Sequence, residues 1–118
     1  VLNGVSGDFI VDTGASHTCV ACDKEAHFKL NANKAEQQAA SASSVEMETR
    51  HSENNALEVG AWEGRELEII LFDMASVNSA LAKLGVKAVD GILGADILRA
   101  TKAVLDYNRN GLYLKIKR

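Results

Sequence analysis

Asp12, Thr13, Gly14 and Ala15 follow directly on the apolar run Phe9-Ile10-Val11. A strand of that composition reads as buried, and it delivers a carboxylate into a turn closed by a hydroxyl and a glycine. Burying such a group unpaired costs several kcal/mol, so the chain needs a partner or a use for it. The chemistry open to it is acid–base work. When carboxylates hydrolyse an amide, a charged one takes a proton from water while a neutral one donates to the carbonyl oxygen, and one group cannot do both. The chain contains one Asp-Thr-Gly, so a second copy would have to supply the other carboxylate, Asp12 meeting Asp12 across a two-fold axis.

The elements that must position this loop are short and mostly extended. Val1 to Val11 reads as a hairpin turning through Asn3-Gly4-Val5-Ser6-Gly7, and Thr18-Cys19-Val20 as the strand that leaves the loop. The stretch Asn31 to Ser44 is rich in Ala, Gln, Ser and Asn and reads as an exposed loop or hairpin tip. Val45, Met47 and Thr49 alternate with charged residues as in a half-buried strand. Leu57 and Val59 continue the pattern to a turn over Gly60 to Gly64. Leu67, Ile69 and Leu71, with Ile70 and Phe72 between them, predict a central strand covered on both faces. A short helix is expected from Ser76, capped by that residue, carrying Val77, Leu81 and Leu84 and closed at Gly85. Val89 to Leu93 reads as a second core strand and Ala95 to Ala100 as a short helix. Asn108 to Gly111 reads as a hairpin turn between Val104 to Tyr107 and Leu112 to Ile116.

Taken together, Phe9 to Val20 and the later segment Asp90-Gly91-Ile92-Leu93-Gly94-Ala95-Asp96-Ile97 resemble the retropepsin-like (retroviral-type) aspartic proteases, in their bacterial and cellular branch. The resemblance implies a mainly β, single-domain, closed β-barrel-like acid-protease fold with one or two short helices over residues 1–118, its first strand partly outside the sequence. It implies an aspartic endopeptidase acting as a homodimer on a peptide or protein substrate, with no cofactor and no metal, and a rate optimum on the acid side of neutrality. Asp12, Thr13 and Gly14 become the catalytic loop. Thr13 would bond across the two-fold axis, Gly14 would allow the peptide to approach, and Ala15 would leave room beside it. Ser16 and His17 would lie along the substrate groove, Ile92 would line it, and Ala40, Ser41, Ala42 and Ser43 would form the tip of a flap closing over the peptide. Ser16 stands where viral members often carry an acidic residue, and the flap tip has alanine and serine where they have glycine. The alternative is a retropepsin-fold binding or dimerisation module without turnover, since fold alone does not confer activity.

One rival constellation exists. His17, Cys19, Cys22 and His27 include a Cys-x-x-Cys flanked by histidines, donors suited to a small zinc site. Against it, Cys19 falls in a strand as a small buried residue. Trp62 reads as packing over the sheet, Asp96 as a helix cap, and Asp106 as part of the closing hairpin.

The chain's length of 118 residues fits one core. A net charge of −3 supplies no basic field for nucleic acid, and no apolar run approaches the roughly 20 residues that span a bilayer. Two cysteines are too few for a secreted disulfide scaffold. Val1 to Val5 already reads as strand and turn, which leaves room for an upstream strand, signal or membrane anchor. The compartment is therefore open between cytoplasmic and periplasmic or membrane-tethered.

Overall fold

A computed structural model describes residues 1–34 and 49–115. The expected flap tip Ala40 to Ser43, the strand positions Val45 and Met47, and Ile116 lie outside the described residues.

Six strands form one sheet: β1 (Phe9–Val11), β2 (Cys19–Ala21), β3 (Ala32–Lys34), β4 (Arg50–Val59), β5 (Trp62–Phe72) and β6 (Gly91–Leu93), in the order β1-β6-β2-β5-β4-β3. β7 (Val104–Asp106) and β8 (Gly111–Tyr113) make a separate antiparallel hairpin. Among the described residues the two α-helices are α1 (Ala75–Lys83) and α2 (Ala95–Ala100). The mainly β class holds as expected. The sheets are not closed on one another, so barrel-like describes them only loosely.

The core collects from strands whose alternation was legible. Val20, Leu57, Ile69 and Leu71 point to one side and are buried, joined by Leu2, Phe28, Leu93 and Ile97. Each fully buried side chain of this size contributes about 1.5–3 kcal/mol. Ile70 and Phe72 are half-covered on the other face of β5. That strand is internal, parallel to β2 and antiparallel to β4, so its continuous apolar run follows from neighbours on both edges.

Several local expectations change. The first turn is tighter than a hairpin over residues 3–7. Asn3 and Gly4 alone make it, both at positive φ (50° and 83°), and Leu2 and Val5 exchange backbone hydrogen bonds of 2.8 and 2.9 Å. Positive φ at both central residues is what an Asn-Gly turn of this kind requires. Leu2 then bridges to Leu57, and β1 starts only at Phe9. The β4–β5 turn is likewise only Gly60-Ala61, because β5 starts at Trp62. The Trp62 ring folds back over Gly64, where a Cβ would sit 2.5 Å from it, and packs on the core. Part of the expected loop after Asn31 is a strand, β3, paired with Arg50 to Ser52.

The N-cap of α1 is Met74 and not Ser76, and the preceding Asp73 accepts through Oδ1 from the Ala75 N–H at 2.9 Å. Gly85, at φ 72°, closes that helix as predicted. Val77 packs on the Ala21, Met74 and Ile92 cluster and Leu81 is half-buried, but Leu84 is 77% exposed, so the helix buries only the start of the stripe its spacing suggested. No helix among the described residues is long and apolar enough to cross a membrane.

Candidate active site

The loop that carries Asp12 is built by three short strands. β6 lies between β1 and β2: parallel to β1, with Ile10 opposite Ile92 and Val11 opposite Leu93, and antiparallel to β2, with Cys19 opposite Ile92. The chain therefore leaves β1, turns through residues 12–18, and returns on the far side of β6. Gly91 is what allows this close approach. A Cβ there would lie 2.4 Å from the Cys19 carbonyl oxygen and 2.6 Å from the Phe9 ring.

Hydrogen bonds then close the loop on itself and on β6. The Asp12 N–H donates to the Leu93 carbonyl at 3.0 Å, extending the β1–β6 ladder by one residue. The Gly14 N–H donates to Asp12 Oδ1 at 2.9 Å, and the Ala15 N–H to the Asp12 carbonyl at 3.2 Å. The Ala15 carbonyl accepts from the Ala95 N–H at 2.7 Å, tying the loop to the start of α2. One carboxylate oxygen is thus anchored to backbone.

Beneath the loop sits a pair of residues that the sequence did not mark as connected. Thr18 is fully buried; its hydroxyl donates to Asp96 Oδ1 at 2.8 Å and accepts from the Gly94 N–H at 3.1 Å. Asp96 Oδ1 also accepts from the Ile97 N–H at 2.8 Å. Asp96 was expected to cap α2. It does take a bond from the first turn, but its main partner is a threonine 78 positions away in the chain. The signal available was a polar residue, Thr18, opening an otherwise apolar strand, and nothing local names its partner.

Thr18→Val keeps the shape and removes the hydroxyl, leaving the buried Gly94 N–H and one Asp96 oxygen without it. The expected cost is about 1–3 kcal/mol, a fall in melting temperature of roughly 5–15 °C for a chain of this size. Thr18→Ser restores most of it. A calorimetric scan in which the valine variant melts with the parent would remove the pair from this role.

The other expected site residues are placed as follows. Asp12 and Ala15 are half-buried and Thr13, Gly14, Ser16 and His17 exposed, so the carboxylate reaches the surface from an edge strand. This differs from the buried strand expected: Val11 is 37% exposed, because β1 has a neighbour on one side only. Ser16 Oγ and His17 Nδ1 lie 3.0 Å apart, one residue past the turn. Ile92 is buried in a small cluster with Ala21 and Met74, against which Ala15 and Cys19 also pack.

The Cys-x-x-Cys constellation does not assemble. Cys19 Sγ contacts the His17 carbonyl at 3.2 Å, and burial, then the Asp96 and Asp12 carboxylates, push its thiol up to about 11. Such a thiol is neither a ready metal ligand nor a ready nucleophile. Cys22 is raised too, chiefly by burial, and lines a separate pocket of about 410 Å³ with Asp23, Asp73 and Asn78. His27 is exposed, and its ring lies edge-on to Phe28 at 4.8 Å between centroids.

Comparison with known proteins gives a consistent result. No curated protein matches the chain. Among solved structures, the retroviral protease-like domain of Ddi1 from Leishmania major superposes with a TM-score of 0.65 at 13% identity, covering 97% of this chain and 82% of that one. EIAV protease, solved in complex with the inhibitor HBY-793, superposes with a TM-score of 0.60 at 17% identity, covering 89% and 86%. These likenesses establish a retropepsin-like fold. A family model described as aspartyl protease matches residues 1–97, a span that includes the Asp12 loop, its β6 partner and the Thr18–Asp96 pair, and the chain therefore belongs to the aspartyl protease family.

Proposed function

We propose that this protein is an aspartic endopeptidase whose catalytic centre forms between two copies, each contributing Asp12. The observation that carries the reading is the single Asp-Thr-Gly loop at an exposed sheet edge, with Asp12 Oδ1 held by the Gly14 N–H and the carboxylate reaching the surface. One loop supplies half of the required pair. A second copy brought against the same edge supplies the other half and covers Val11, Thr13 and Gly14.

The two carboxylates then share one proton, because like charges about 3 Å apart cannot both ionise, as holds for aspartic-protease dyads in general. The charged member accepts a proton from a bound water as the water oxygen attacks the scissile carbonyl carbon. The neutral member donates its proton to the carbonyl oxygen, giving a tetrahedral diol. The carboxyl that took the water's proton passes it to the amide nitrogen while the other carboxylate takes a proton from one diol hydroxyl; the carbon–nitrogen bond breaks, the amine leaves, and the pair again holds one proton. The Gly14 N–H fixes one carboxylate oxygen and so leaves the other for the water and its partner. Thr13 bonds across the axis, and Gly14 leaves space over the dyad. Ala15, Ser16 and His17 contact the extended peptide, and the buried Ile92 supports Ala15 from beneath.

Specific activity is expected to fall on dilution, as monomer replaces dimer. The check is cleavage of a fluorogenic peptide library over a concentration series, with sedimentation run on the same samples. A strictly monomeric protein that retains full specific activity at every dilution would sink the two-copy centre.

A further inference from the structure

β4 and β5 carry a second cluster of chemistry-bearing side chains, apart from Asp12 and its loop. His51 and Glu53 are two residues apart on β4 and so share a face, and Glu68 comes from β5. Their donor atoms lie within 4.8 Å of one another, and His51 Nδ1 is 3.6 Å from Glu68 Oε2. His51 is half-buried and the two glutamates are exposed.

The ladder makes this placement unusual. Ser52 pairs with Ile69 and Asn55 with Leu67, so Glu68 alone stands opposite the two residues Glu53 and Asn54. This is a β-bulge, and Asn54 takes the left-handed conformation at φ 62° that such an extra residue needs. Buried Asn55 locks it: its Nδ2 donates to the Ser52 carbonyl at 2.9 Å and to the Leu67 carbonyl at 3.2 Å, and its Oδ1 accepts from Asn3 Nδ2 at 3.0 Å. The bulge therefore holds two like charges facing each other across a rigid pair of strands, an arrangement that by itself is destabilising. Among the described residues no lysine or arginine answers them. Arg50 pairs with Glu25 and Arg65 with Glu63.

We propose that His51, Glu53 and Glu68 form a binding site for a divalent transition-metal ion of the zinc type. One imidazole nitrogen and two carboxylate oxygens are donors that zinc takes at about 2.0–2.2 Å, with water completing the shell. Ligands at that distance stand about 3.4 Å apart around a tetrahedral ion. The exposed glutamate side chains have only to swing inward by roughly an ångström, while the bulge keeps their backbones fixed. Two carboxylates offset the ion's charge, and the imidazole selects against magnesium and calcium, which prefer all-oxygen sites. The bound ion would tie β4 to β5 just beyond the β3–β4 pairing, in which Asn33 stands opposite His51.

The test is calorimetric titration of the chelator-stripped protein with zinc chloride, paralleled by magnesium chloride, on the parent and on His51→Gln, Glu53→Gln and Glu68→Gln. Expected are one zinc per chain, a raised melting temperature with zinc and not with magnesium, and binding weakened about tenfold or more in each variant. A Cys22→Ser/His27→Asn variant should bind zinc as the parent does. Because the two glutamates are exposed and repel each other, Glu53→Gln and Glu68→Gln are expected to melt at or slightly above the parent when metal-free, and the half-buried His51→Gln near it. No saturable zinc binding overturns the proposal, as does binding that survives His51→Gln and Glu68→Gln or disappears with Cys22 and His27. Loss of peptidase activity in Asp12→Asn bears on the other site and leaves this result unchanged.

Discussion

Asp12→Asn is expected to lower peptide hydrolysis by about a thousandfold or more, the upper part of the range for a lost acid–base group. It is expected to leave the melting temperature within a degree or two of the parent. Asparagine keeps the side-chain shape and an oxygen to accept from the Gly14 N–H, the 2.9 Å bond that shapes the turn. What it cannot do is take a proton from water or share one with a second carboxylate. In a two-copy centre the substitution removes both carboxylates at once, so no residual dyad remains. The measurement is turnover of the same peptide library by parent and variant at matched dimer concentration. If the asparagine protein cleaves at the parent rate, Asp12 is not the catalytic group and the peptidase reading fails with it.

The largest effect on folding is expected at Gly94. A Cβ at this position would lie 2.5 Å from both the carbonyl carbon and oxygen of His17 and 3.0 Å from the Ala15 oxygen. All three are backbone atoms of the loop that carries the aspartate, so no side chain can rotate away. Gly94 has an ordinary extended backbone at φ −98° and ψ −177°, and space alone demands glycine there. Gly94→Ala is therefore expected to destabilise the fold by about 3 kcal/mol, the upper end for overpacking, and to inactivate whatever folds by pushing the loop off α2.

Gly14→Ala separates the two consequences. There the added carbon meets only Asp12 Oδ1, at 3.3 Å, so stability should change little while turnover falls. Denaturant melts and activity on the three proteins decide it. An alanine at 94 that melts with the parent would mean the loop is not packed on β6 as described.

The chemistry was legible in the sequence because it is local. Asp12, Thr13 and Gly14 are consecutive, the apolar run before them marks a strand, and Ile92-Leu93-Gly94 reads as a strand end by itself. Period-two alternation likewise marked β4 and β5, Ala95 to Ala100 fell where composition put it, and the closing hairpin formed with its turn one residue earlier than expected, at Tyr107 to Asn110. Each rests on side-chain period or turn residues, which a few neighbours suffice to specify.

What required the tertiary structure is whatever depends on partners distant in the chain. Strand order put β1 at an edge, which is why Val11 and the Asp12 loop are more exposed than an Ile-Val run suggests. The helix stripe at Val77, Leu81 and Leu84 is covered only at its start, where Val77 meets the Met74 and Ile92 cluster, and Ser76 falls inside the first turn because α1 begins at Ala75. The Thr18–Asp96 bond spans the length of the sheet's crossover, and the facing glutamates at the bulge follow from a register shift no alternation reveals. Cys19, Cys22, His17 and His27 are close in sequence and form no common site, since Cys19 packs in β2 beside the Ile92 cluster, Cys22 follows the strand end into the pocket with Asp73 and Asn78, and the His27 ring lies against Phe28. Local pattern says which residues carry reactive groups; only the register and order of the strands, set by burial of the shared core, decide which of those groups meet.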